Sequence, residues 1–198
     1  MNDHVNRPFA LFLRWKLKWV VSAYLRVCRG FRVVGKADLP MARKPCILVC
    51  NHAAFVDSVY VICSVRPRFT ICGAKSKYFQ KWHTRFLFGI ANILKVENKN
   101  QFLQDCGRLL DAGEILLVYP EMGRHPDGMG EFRTWTAEAA LSRSVPVFPC
   151  YLYGTTKGQD GPKRLFVGAP LSPAGTAESF TEVMRDAVLR LKPEEKGR

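Results

Sequence analysis

Along the chain, short uninterrupted apolar runs alternate with stretches whose apolar residues recur every three or four positions. Cys46–Cys50, Phe69–Ala74, Ile115–Tyr119, Val145–Tyr153 and Arg164–Val167 have strand length and stop at turn or charged residues, so they read as strands. The wholly apolar ones are the pattern of strands covered on both faces. Helical spacing marks residues 9–27, Asp57–Val65, Lys77–Phe88, Gln101–Ala112, Thr134–Arg143 and Ala177–Leu191; Pro67 and Gly113 supply stops. Gly123–Gly130, with three glycines and a proline, is a loop. Strands alternating with helices predict an α/β fold with a largely parallel sheet flanked by helices. With no internal repeat or linker, residues 31–198 form one domain, preceded by a helical segment at 1–30.

On a helical wheel of residues 9–27, Phe9, Phe12, Leu13, Leu17, Trp19, Val20 and Tyr24 gather on one broad face. Arg14, Lys18 and Arg26 lie outside it, and Lys16 intrudes and must snorkel. Aromatic and basic residues on an amphipathic helix suit a membrane interface, and packing on the domain's own core is the competing use. No segment reaches the roughly 18 uncharged apolar residues of a spanning helix. Charge recurs through the N-terminal apolar stretch instead of preceding it, which is not a signal-peptide layout. The expected location is therefore the cytoplasmic face of a membrane, peripheral or monotopic.

Charge adds a direction to this picture. Residues 1–100 carry 18 Lys/Arg and 4 Asp/Glu, whereas residues 101–198 carry 12 and 13, so the whole net charge of +13 lies in the first half. A basic half on a globular chain implies an anionic partner: nucleic acid, acidic lipid or a phosphate-bearing substrate. Seven scattered cysteines without a CxxC pair argue against a zinc site or a disulfide framework, and those inside apolar runs read as small buried hydrophobes of a reduced compartment.

Candidate chemistry falls where strands end. Directly after CILVC comes Asn51-His52-Ala-Ala-Phe-Val-Asp57, and His52 alone among the four histidines has a carboxylate five residues on. On a continuous helix positions i and i+5 point apart by about 140°. With His52 in the loop and Asp57 in the next helix's first turn, the chain can fold back so that the carboxylate meets Nδ1–H and orients a general base. A turn histidine beside a helix-start aspartate is the plainer reading of that pair. The second junction is Tyr119-Pro120-Glu121-Met122-Gly123-Arg124, followed by the glycine-rich loop and Phe132-Arg133-Thr134, where cations and loop amides suit a phosphate. The loop matches neither a P-loop nor GxGxxG.

Taken in order, these residues resemble the glycerolipid acyltransferases related to lysophosphatidic acid acyltransferase. Asn51, His52 and Asp57 fit the family's NHxxxxD block; Ala74-Lys75-Ser-Lys-Tyr-Phe is similar to its basic segment. Tyr119–Arg124 resembles FPEGTR, Phe132-Arg133-Thr134 resembles FKTG, and Val145–Pro149 resembles VPIIP, covering about residues 30 to 155. There are departures. Glu97 stands where the family's second block carries an arginine, with Lys95 or Lys99 as possible substitutes; Met122-Gly123 replaces Gly-Thr, and Trp135 replaces a small glycine, which should crowd that pocket.

The resemblance implies transfer of a fatty acyl group from acyl-CoA or acyl carrier protein to a lyso-lipid hydroxyl, most directly 1-acylglycerol-3-phosphate. His52 would be the base and Asp57 its orienter. Asn51, Lys75, Glu121, Gly123, Arg124 and Arg133 would serve substrate binding, with a structural Glu121–Arg124 ion pair as the alternative for Glu121. No cofactor or metal is implied, no cysteine nucleophile is needed, and the partners are an anionic membrane surface, the donor and the acceptor. The departures leave a different acceptor open, such as a lyso-ornithine lipid. A non-catalytic membrane-binding module leaves NHxxxxD unexplained. Nucleic acid is disfavoured because the aromatics sit at helical spacing among apolar neighbours.

Overall fold

The computed structural model describes residues 8–35, 45–64, 70–75, 92–157, 159 and 161–194. The elements are α1 (Pro8–Cys28), β1 (Arg32–Gly35), β2 (Cys46–Cys50), α2 (Asp57–Ile62), β3 (Thr70–Lys75), β4 (Ile93–Val96) and α3 (Lys99–Asp111). They continue with β5 (Ile115–Val118), α4 (Trp135–Arg143), β6 (Val147–Tyr153), β7 (Arg164–Val167) and α5 (Ala177–Leu189). One sheet of seven strands runs in the order β1-β7-β6-β2-β5-β3-β4. Strands β2 to β6 are mutually parallel. Strand β7 is antiparallel to β6 and carries β1 parallel to itself at the edge.

Burial explains why the central runs are wholly apolar. Every residue of β2 and β5 is buried, and successive side chains alternate between two cores. Cys46, Leu48, Cys50, Ile115 and Leu117 meet Tyr60 and Val61 of α2 and Leu25 of α1. Ile47, Val49, Leu116 and Val118 meet Phe102, Cys106 and Leu110 of α3, Ala137 and Ala140 of α4, and Met184 and Val188 of α5. The chain thus leaves β2 for one face of the sheet and leaves the adjacent β5 for the other. Such a divergence opens a crevice at the carboxyl ends of parallel strands, the place where open α/β sheets take ligands.

The expected α/β architecture is present, with shifts at element ends of a few residues. The second helix stops at Ile62 and the Val145–Tyr153 run becomes a strand only at Val147. Two strands carried no sequence signal, β1 and β4. Each has four residues, β1 is exposed throughout, and β4 is half-buried and interrupted by Lys95. The expected Lys77–Phe88 helix lies outside the described residues.

Helix α1 combines the two uses weighed for it. Leu25 is buried, Val21 packs against the first core, and Ser22 Oγ donates to the Cys63 carbonyl at 3.3 Å. Lys18 shares that stripe, so the docked face is Lys18-Val21-Ser22-Leu25 at helical spacing. Burial lowers the Lys18 ammonium to about 8. Lys18 was expected on the outer, polar side; its four-carbon stem lets it join the packed one. The broad face with Phe12, Leu13, Leu17, Trp19, Val20 and Tyr24 remains exposed. No helix among the described residues is long and apolar enough to cross a membrane.

Candidate active site

His52 and Asp57 meet as the sequence anticipates. The strand β2 ends at Cys50, the chain turns through Asn51–Val56, and Asp57 opens α2 with its side chain folded back over the turn. Asp57 Oδ2 lies 3.0 Å from His52 Nδ1 and accepts from the amides of Ala53 at 2.7 Å and Ala54 at 2.8 Å. An ionised carboxylate only accepts, so Nδ1 carries the proton and Nε2 keeps its lone pair. Asp57 is fully buried while the His52 side chain retains 17% of its exposure, so the carboxylate is sealed and the imidazole is reachable.

Asn51 faces inward. Its Oδ1 accepts from the Leu152 amide at 2.7 Å and its Nδ2 donates to the Leu152 carbonyl at 3.2 Å, clasping the end of β2 to β6. Asn51 is 3% exposed.

Glu121 has a comparable architectural place. Its Oε1 accepts from the His52 amide at 2.8 Å, and its Oε2 accepts from the Gly130 amide at 2.7 Å with His125 Nε2 at 3.9 Å. The carboxylate therefore ties the His52 turn to the glycine-rich loop, and the ion pair with Arg124 is absent among the described residues. Burial pushes the Glu121 carboxyl above its usual range although both amides and the two histidines pull it down. The loop returns a bond, since the His125 amide donates to the His52 carbonyl at 2.7 Å. A Cβ at Gly130 would stand 2.6 Å from the His125 ring, so a larger residue there must push that imidazole aside. Met122 turns the chain between Glu121 and Arg124 at φ 52°, a left-handed conformation, where the family block has glycine.

The cationic candidates follow the strands that end here. Arg124 and Arg133 are exposed, and neither guanidinium makes an ion pair among the described residues. The Arg133 amide donates to the Pro120 carbonyl at 3.0 Å, which fixes the backbone beside the second junction. Gly123 is half-buried in the same turn. Lys75 ends β3 at the same sheet edge, and its side chain lies outside what the structure describes. Lys95 pairs with Glu97, and Lys99 pairs with Glu138 at 2.8 Å. Both lysines suggested as substitutes for the missing arginine thus already face carboxylates. Trp135 does not crowd the crevice. It tilts against Phe102 at 5.8 Å between ring centroids, within the helix-covered second core.

Two neighbours carried no warning in the sequence. The Tyr119 ring stacks on His52 with centroids 4.2 Å apart and 18° between planes, and its hydroxyl lies 3.2 Å from Ser58 Oγ. His125 supplies the amide and imidazole just described. Tyr119 occupies the Phe position of the resembled FPEGTR, and that substitution was the only available sign of it. The cysteines of β2 and β6 are poor nucleophiles: burial pushes Cys46 and Cys150 up to about 12, and Cys50 well up from its ordinary value. The described residues contain no cluster able to hold a metal ion.

Comparison with known proteins follows the same line. A family model described as Acyltransferase matches residues 30–153, well over half of the chain. A 1-acyl-sn-glycerol-3-phosphate acyltransferase of Chlamydomonas reinhardtii is 28% identical over 178 residues, 82% of this chain and 53% of the relative. A chloroplastic protein of the same name from Brassica napus is 28% identical over 138 residues, 63% of this chain and 38% of its own. The chain therefore spans about half the length, or less, of the curated relatives it matches. The fold superposes on the crystal structure of the 1-acyl-sn-glycerophosphate (LPA) acyltransferase of Thermotoga maritima with a TM-score of 0.72 at 19% identity, covering 90% of this chain and 79% of that one. With NHxxxxD folded into a locked histidine–aspartate pair at the sheet's switch point, and the family match spanning every motif block, the chain belongs to the Acyltransferase family.

Proposed function

We propose that this chain transfers a fatty acyl group from a thioester, acyl-CoA or acyl carrier protein, to the free hydroxyl of a lysophospholipid, foremost 1-acylglycerol-3-phosphate. The observation that carries the reading is the 3.0 Å contact between Asp57 and Nδ1, which leaves a basic Nε2 at the carboxyl edge of the sheet. Nε2 takes the hydroxyl proton as the oxygen attacks the thioester carbonyl carbon. The tetrahedral intermediate collapses by breaking the C–S bond, and the imidazolium returns its proton to the departing thiolate. Asp57 supports the imidazolium in between. The buried, protonated thiols of Cys46, Cys50 and Cys150 support direct transfer without an acyl-enzyme, and this chemistry needs no cofactor beyond the donor.

Arg124 and Arg133, joined by Lys75, are assigned the phosphates of acceptor or donor, with Gly123 giving the backbone close approach. Asn51 and Glu121 act on substrate through the turns they hold. The names of the relatives favour a phosphorylated glycerol acceptor. The protein works as a peripheral or monotopic enzyme on the cytoplasmic face of an anionic membrane. Support comes from the exposed α1 aromatics Phe12, Trp15 and Trp19, from Lys16 lying over the Trp15 ring at 5.0 Å, and from Phe55 and Val56 exposed in the catalytic turn.

The test is thiol release from acyl-CoA or acyl carrier protein with a labelled lyso-acceptor. His52→Ala should lower turnover by about 10² to 10⁴ with the fold intact. Full turnover in that variant removes the assignment. Replacing Trp15 and Trp19 with Ala should reduce sedimentation with phosphatidylglycerol vesicles, and equal sedimentation removes the membrane role of α1.

A further inference from the structure

Tyr119 contacts His52 and the neighbour of Asp57 through different chemistry. Its ring covers one face of His52, and its hydroxyl reaches Ser58, the residue after Asp57. The two contacts come from the end of β5 and act on the turn that follows β2 and on the first turn of α2. Among the described residues a hydrogen bond holds the imidazole at Nδ1, and a flat surface against its face adds a second constraint on the ring plane. Tyr119 provides that surface and is itself immobile, at 6% exposure.

Resting on the reading of His52 as the base, we propose that Tyr119 is a positioning residue that fixes the plane of the His52 ring and stabilises its protonated form through the aromatic face. An imidazolium stacked on an electron-rich ring gains the attraction of a cation for the ring's negative face, and a desolvated site strengthens it. Burial holds the Tyr119 hydroxyl well above its usual range, so the ring stays neutral while His52 cycles. The other groups around His52 are Asp57 at Nδ1, Glu121 at its amide, and His125, whose amide holds the His52 carbonyl. The Cys50 and Cys150 thiols nearby stay protonated. Among the described residues Tyr119 is the one aromatic ring stacked on this imidazole, whereas a phenylalanine there supplies the face without the Ser58 link.

The experiment follows the pH dependence of kcat/KM for thioester turnover in the full chain. Tyr119→Leu removes the face, destabilises the imidazolium and moves the acid limb of the profile down by about half a unit to one unit. Its kcat falls about tenfold while KM for the donor stays near the parent value. Tyr119→Phe keeps the acid limb in place and loses only a few-fold in kcat with the Ser58 contact. Tyr119→pentafluorophenylalanine keeps the ring's shape but inverts its charge distribution, so its acid limb moves with that of Tyr119→Leu. The fluorinated variant decides the matter where Tyr119→Leu fails to fold. Acid limbs that superimpose on the parent's in both variants, with His52→Ala inactive, overturn the positioning role alone. Turnover retained by His52→Ala overturns the base assignment and this role with it.

Discussion

Glu121→Gln separates two uses of the same carboxylate: binding the acceptor, which the sequence suggests, and bracing the His52 turn, which the geometry describes. Both oxygens of Glu121 accept from backbone amides of different loops, at 2.8 Å from His52 and 2.7 Å from Gly130. A glutamine amide offers one acceptor and one donor, so one of those amides must face an NH₂ group. A hydrogen bond to a charged group contributes about 1.5–3 kcal/mol, and a buried unpaired donor costs about 1–3 kcal/mol. Against this, the raised Glu121 carboxyl shows that burial outweighs what the amides return to the charged form, and a neutral side chain escapes that cost. The net is a loss of about 1–3 kcal/mol, or roughly 3–10 °C in Tm for a chain of this size.

The sign of the pH dependence follows from the same shift. A folded value raised above the ordinary 4.5 gives a contribution present below that value and lost as pH rises through the folded one. The stability gap between parent and Glu121→Gln is therefore widest in acid and narrows until Glu121 is fully ionised. Because one severed bond belongs to the His52 amide, kcat should fall about 10- to 100-fold with KM for the acceptor little changed. Calorimetry with steady-state kinetics reads both. Unchanged Tm and kcat with a tenfold rise in acceptor KM would refute the brace and return Glu121 to the binding surface.

Three further perturbations follow from single contacts. Asn51→Ala strands the buried amide and carbonyl of Leu152, so urea unfolding should show a loss of about 2–4 kcal/mol. Its turnover per folded molecule should fall far less than that of His52→Ala. Asp57→Asn keeps the side-chain shape but brings no negative charge to the three donors at Oδ2 or to the imidazolium, so kcat should drop by about 10² to 10⁴ at unchanged circular dichroism. For Lys18, lowered from 10.5 to about 8, the unfolded chain binds a proton that the folded one has released, so stability rises across that interval. Lys18→Met should lack the rise, below about 1 kcal/mol between pH 7 and 9 once discounted for solvent at a half-buried ammonium, in unfolding curves compared at those two pH values.

What the sequence disclosed about this site depended on how far apart the interacting residues stand. His52 and Asp57 are five positions apart, and a strand followed by a helix start leaves few ways for them to miss each other; their contact was readable as a spacing. Proximity also offered an ion pair with Arg124 as the alternative for Glu121, and no such pair forms among the described residues, where Met122 between them takes a left-handed φ. The carboxylate's real partners, the amides of His52 and Gly130, are backbone groups, which no residue type announces. Tyr119 faced the same obstacle, since its stack on His52 arises only once β2 and β5 pair in register, Leu48 beside Leu117 and Val49 beside Val118. The central strands were legible because burial on both faces demands continuous apolar residues. The edge strands β1 and β4 face no such demand and left no run to read. Helix α1 shows why an amphipathic pattern alone does not assign a docking face: a long lysine stem packs as hydrocarbon, so Lys18 joins Val21 and Leu25 against the domain while the more apolar side stays open. A helix that buried its most apolar face in its own core would have none left for lipid, and this one keeps that face exposed on the same molecule as Phe55 and Val56 of the His52 turn.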